Sequence, residues 1–132
     1  MSIAELEKKN TQAREMYHAY MLRIEVLRSE AALDGFSVNA ASEEDFWSFV
    51  ESISFAQKAG LVLLDNGNLR AVWKGENGSH LGLQFLGNRL VEYVIFKRRQ
   101  ATRDVSRGAS RDTIEGIKRQ IRASDLTVFM DG

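Results

Sequence analysis

The sequence predicts an α+β fold: a long N-terminal helix and a second helix packed with a four-stranded antiparallel β-meander, then a C-terminal helix. Three observations predict it. Apolar residues recur every three or four positions before residue 60. Between Leu61 and Phe96 the period falls to two, and the clearest Gly- and Asn-containing turns lie there. The chain has 132 residues, enough for one cored domain and too few for two with a linker.

The first helix is expected over Ile3 to Leu33, within a segment 1–34. Tyr17, Tyr20, Ile24, Leu27 and Ala31 follow one another at steps of three and four, and Met16 and Met21 widen that stripe. Glu5 and Lys9 form a favourable pair four residues apart, and Gly35 is placed to stop the helix. Such a helix is roughly 45 Å long, more than a domain of this size covers with its own core. Part of it is therefore expected to project or to pair with a second copy.

A linker over Phe36 to Ala41 precedes the second helix, expected within 42–59. Ser42 is the expected N-cap, with Glu43, Glu44 and Asp45 in the positive first turn and Phe46, Phe49, Val50 and Ile53 on one face. Capping accounts for these acids without a metal.

The meander is expected over 61–97. A two-residue turn at Asn66-Gly67 would set Leu64 opposite Leu69 and Val62 opposite Ala71, with Trp73 on the same side. Leu81, Leu83 and Phe85 continue the alternation in the third strand. Near Gly87-Asn88 a two-residue turn would bury Glu92 opposite Leu83. A three-residue loop with Asn88 in the left-handed region instead pairs Glu92 with Gln84 and puts Val91, Tyr93 and Ile95 on the leucine face. The opposite sheet face then mixes Arg70, Val72, Lys74, Gln84, Glu92 and Val94. It is too polar for a core and too apolar for an ordinary surface, which makes it a candidate contact surface. Residues 98–109 read as a connection before Ser110 caps a third helix, 110–123, with Ile114, Ile117 and Ile121 facing inward. Leu126 to Met130 is apolar enough to dock.

Formal charge is zero, yet the signs are segregated: six basic against eleven acidic residues over 1–65, and nine against three over 97–122. The late segment, with Lys97, Arg98, Arg99, Arg103, Arg107, Arg111, Lys118, Arg119 and Arg122, carries enough charge to neutralise several phosphates. Zero net charge and the absence of an exposed recognition helix or stacking aromatics argue against it, so nucleic-acid binding through these residues stands as the alternative reading.

The remaining chemistry is sparse. No cysteine is present, which excludes disulfides, thiolate metal sites and cysteine nucleophiles. His18 and His80 are the two histidines that could move a proton, and neither lies in a motif. Asp65-Asn66-Gly67-Asn68 lacks the ligand alternation of a calcium loop, and Gly75-Glu76-Asn77-Gly78 is too short for a phosphate cradle. No apolar run reaches the roughly 20 residues that span a bilayer. A cytoplasmic protein without cofactor, metal or catalytic residues is the expectation.

The stretch Leu64-Asp65, Gly67, Leu69 and Trp73, then Leu81, Leu83, Phe85 and Tyr93, resembles small bacterial proteins with a short β-meander that accompany toxin or mobile-element genes. It covers the middle third of the chain. The resemblance implies an accessory or antitoxin-like protein that binds another protein, with no catalytic residues. Together these readings predict a non-catalytic, homodimeric interaction module. Its contact residues are expected to be Tyr17, Tyr20, Ile24 and Leu27 on the first helix and Arg70, Lys74, Gln84 and Glu92 on the sheet.

Overall fold

A computed structural model describes residues 2–53, 57–75, 78–98 and 105–123, and for 97, 98 and 105–108 the backbone alone. In chain order the elements are α1 (Ile3–Leu33), α2 (Ala40–Ser52), β1 (Gly60–Leu63), β2 (Leu69–Lys74), β3 (His80–Gly87), β4 (Leu90–Arg98), β5 (Val105–Thr113) and α3 (Ile114–Ala123). The strands form one antiparallel sheet in the order β1-β2-β3-β4-β5, and the helices pack on one of its faces. The α+β class and the long first helix agree with the sequence reading; among the described residues the sheet has five strands rather than four.

The helix α1 begins where Ser2 accepts the Glu5 N–H on its hydroxyl and ends in a Schellman turn. Gly35 takes φ +81°, while the Phe36 and Gly35 N–H groups reach back to the Ala31 and Ala32 carbonyls. Only the second half of the helix meets the domain. From Ile3 to Glu15 every residue is exposed, so the first half projects. Arg28 fastens the packed half to α2 through Glu43, at 2.9 Å.

The start of α2 corrects the expected cap. Asn39 accepts the Ala41 N–H on its side chain, whereas Ser42 sits inside the first turn and is wholly buried. Its hydroxyl donates to the Phe85 carbonyl and accepts from the Leu69 N–H, tying α2 to β3 and β2. Asp45 likewise serves the tertiary structure, accepting the Arg89 N–H at 2.7 Å and holding the β3–β4 turn. The helix ends at Ser52, short of the expected 59.

The Asn66-Gly67 turn is wider than a two-residue loop. Leu63 pairs with Leu69 and Leu61 with Ala71, one position away from the expected register. Asn66 closes an Asx turn by accepting the Asn68 N–H, and only Gly67 of this loop has positive φ. The slip puts Leu61 in the core and exposes Val62, the face reversal a one-residue shift dictates. A Cβ at Gly67 would lie 2.6 Å from the Ser37 carbonyl oxygen, so the turn and the α1–α2 linker fit only with glycine there.

The β3–β4 register is the expected one, with Leu83 opposite Tyr93 and Gln84 opposite Glu92. Both Asn88 and Arg89 adopt left-handed conformations, and an irregularity between Phe85 and Gly87 absorbs the extra residue. Residues 105–113, expected to belong to a connection and to the start of a helix, instead form β5, in register with the whole of β4. Ser110 therefore lies in a strand opposite Tyr93, and Thr113 caps α3 by accepting the Gly116 N–H at 3.0 Å. Leu126 to Met130 lies outside the described residues.

The core is a single cluster in which Tyr20, Ile24 and Leu27 of α1 and Phe46 and Phe49 of α2 meet the inward residues of the sheet. Rings pack edge-on: Tyr20 with Phe46 at 5.1 Å and 89°, and Phe46 with Phe85 at 5.7 Å and 82°. Trp73 lies in this core, with Tyr93 packed against it.

Candidate interaction surface

The sheet face turned away from the helices is organised in rows by the register. Arg70, Gln84, Glu92 and Arg111 stand side by side across β2 to β5. Beside them run Val72, Gly82, Val94 and Ala109, and beyond those Lys74, His80 and Phe96. The sequence-predicted set Arg70, Lys74, Gln84 and Glu92 is thus brought onto one face. Arg111, assigned from sequence to the basic segment, joins it.

Charge on this face is partly spent. Arg111 pairs with Glu92 at 2.6 Å, and Gln84 donates to the second oxygen of Glu92 at 3.4 Å. Gln84 accepts in turn from Asn68 at 3.1 Å and from Asn66 at 3.2 Å, while Asn39 donates to Asn68 at 2.8 Å. A polar line therefore runs from the α2 cap to the β5 edge.

Arg70 differs from its neighbours. Its guanidinium lies across Gly82, where an added Cβ would sit 3.2 Å from Nη2 and 3.6 Å from Nε. The missing side chain at 82 is what lets a planar cation rest on the sheet floor. The Arg70 side chain is exposed and makes no hydrogen bond or ion pair among the described residues. The concavity over this floor measures about 550 Å³, with Leu64, Val94 and Ala109 as apolar lining beside Arg70, Glu92 and Arg111. A rigid fork of donors next to small apolar residues suits a carboxylate carried on an apolar or peptide-like body. Further along the face His80 stacks on Phe96 at 5.1 Å and 8°.

The helix residues expected to contact a partner are placed otherwise. Tyr20, Ile24 and Leu27 are 1%, 2% and 4% exposed, so their stripe packs the chain's own core. Tyr17 is half-buried against Trp47, with ring centres 6.2 Å apart. The Tyr20 hydroxyl accepts the Ala59 N–H at 2.8 Å, and burial raises its pKa above the ordinary value of 10.0 despite the opposing effect of that bond. The spacing of the stripe is legible in the sequence; whether it packs on the chain's own core or on a second copy is not.

The basic segment is divided. Lys118 is mostly buried and bonds to Glu115 at 3.2 Å, and Glu115 also takes Arg89 at 2.9 Å. The Lys118 and Arg89 contacts hold the Glu115 carboxyl below its ordinary pKa. Arg119 and Arg122 are exposed on α3. The side chains of Lys97, Arg98 and Arg107, and all of Arg99 and Arg103, lie outside the described residues. Arg111 and Lys118 thus face acids of the chain itself rather than a phosphate track.

Among the described residues no group of three His, Cys, Asp or Glu side chains is placed to hold a metal, and no helix is long and apolar enough to cross a membrane. Comparison with family models, with curated proteins and with solved structures returns no match to this chain.

Proposed function

We propose that the chain is a non-catalytic protein–protein interaction module of the bacterial cytoplasm, antitoxin-like in role, that takes its partner on the open sheet face and self-associates through α1. One observation carries the reading: the Arg70 guanidinium lies solvent-facing across Gly82, without an acid of its own among the described residues, in the middle of a half-apolar sheet face. An unspent arginine on a small-residue floor is a strong anchor for an acidic group on another protein, because desolvating a guanidinium is tolerated where a planar acceptor meets it.

The test uses the full chain as bait in extract of its native host, beside an Arg70→Glu variant. The expected result is a protein retained by the wild type and lost from the variant, while the two chains melt at the same temperature. Retention unaffected by Arg70→Glu would remove the sheet face as the docking site. Salt-sensitive retention of nucleic acid alone would favour the alternative reading instead.

A further inference from the structure

The helix α1 carries a second apolar stripe, on the side opposite its buried one. Ala19, Leu22, Val26, Ser29 and Leu33 recur at steps of three, four, three and four, the spacing of a coiled-coil seam. Leu22, Val26 and Leu33 are 56%, 47% and 88% exposed. A helix apolar on one side needs only its own domain; one apolar on two opposite sides has a face left over.

Charges beside this stripe choose both the occupant and its direction. Arg23 and Glu30 flank the seam on one side and Glu25 on the other. A parallel pairing of two α1 helices would set Glu25 of each copy against Glu30 of the other, a repulsion made twice. An antiparallel pairing about a two-fold axis between positions 27 and 28 sets Arg23 against Glu30 of the second copy, an attraction made twice. In the same register Leu22 meets Leu33 of the second copy and Val26 meets Ser29. Apolar pairs close both ends, and the smaller serine lets the helices approach at the centre. Arg23 is already held along the flank, its Nε donating to the Leu61 carbonyl at 3.2 Å, and Glu30 is exposed with no ion pair among the described residues.

We infer that this outward stripe is a self-association seam, and that its occupant is the same stripe of a second copy running antiparallel. The inference deepens the homodimeric part of the proposed function and is independent of what the sheet face binds. From Leu22 to Leu33 the seam runs roughly 16 Å along the helix axis. That is short for a permanent interface, so the dimer is expected to dissociate on dilution.

Light scattering of the full chain over a dilution series tests it. Wild type is expected to move from twice 14.9 kDa towards 14.9 kDa as it is diluted. Leu22→Glu should stay at the monomer mass with unchanged helix content. Glu30→Arg should weaken the dimer at least tenfold, and adding Arg23→Glu should restore part of it. A wild-type chain that remains monomeric up to its solubility limit, or a dimer indifferent to Leu22→Glu and Glu30→Arg, would overturn the inference. Arg70→Glu should leave the mass untouched, which keeps a failure of the seam separate from a failure of the sheet-face reading.

Discussion

The two sides of α1 bear stripes of nearly the same spacing and opposite fate. Tyr20, Ile24, Leu27 and Ala31 are buried, whereas Leu22, Val26 and Leu33 stand in solvent. What separates them is size and what lies across from them. The inward stripe leads with an aromatic ring that meets Phe46 and Trp47 edge-on, and its hydroxyl finds the Ala59 N–H. The outward stripe has aliphatic residues at intervals broken by Ala19 and Ser29. Periodicity establishes that a helix has an apolar side, and the complementary surface decides whether that side faces the core.

The comparison can be broken most forcefully on the inward side. Ile24→Ala removes a fully packed side chain and is expected to destabilise the fold by about 2–5 kcal/mol, read from denaturant unfolding. A loss as small as that of an exposed substitution would mean that α1 is only loosely docked. Tyr20→Phe, which leaves the buried Ala59 N–H without its acceptor, is expected to lower stability by about 1–3 kcal/mol.

Alkaline pH sharpens the same point. Burial holds the Tyr20 phenol above its unfolded value, so the folded chain keeps that proton more tightly. The resulting stability is full below about pH 10 and declines as pH rises through the raised value. Tyr17 adds in the same direction, through burial and then the Glu51 charge. Melting curves between neutral and strongly alkaline pH should fall for wild type and fall less for Tyr20→Phe.

The smallest effects are expected on the outward side and on the open sheet face. Val26→Ala, measured at a dilution where the chain is monomeric, should change stability by no more than about 0.5 kcal/mol. Arg70→Ala should be similarly silent in unfolding experiments, since its guanidinium has no ion pair to lose among the described residues. A large destabilisation from either would show that the residue supports the fold.

Much of this architecture was legible in the sequence, for reasons that also explain the failures. The bounds of α1 follow from the spacing of its stripe and from Gly35, whose positive φ the Schellman turn demands. The β3–β4 register follows because the alternative would bury Glu92. The strand β5 is not legible in the sequence because Gly108, Ser110 and Asp112 alternate with Arg107, Ala109 and Arg111, which leaves no apolar face at a period of two. It is held by backbone pairing with β4 instead, and its charges suit an edge strand. The chemistry of Ser42 fits a local cap, yet its hydroxyl is used across the core. On the candidate surface, alternation placed Arg70, Lys74, Gln84 and Glu92 together. The role of Gly82 lies in the Arg70 guanidinium that crosses it, a tertiary contact that alternation does not encode.

The distinction between the inward and outward stripes is tested most directly by cross-linking, because the chain contains no cysteine to interfere. Leu22→Cys and Leu33→Cys chains are prepared separately, then oxidised alone and as a mixture. The antiparallel seam predicts a disulfide-linked dimer in the mixture and little or none in either chain alone. Efficient linkage of Leu22→Cys to itself, or none in the mixture at concentrations where wild type is dimeric, would contradict it.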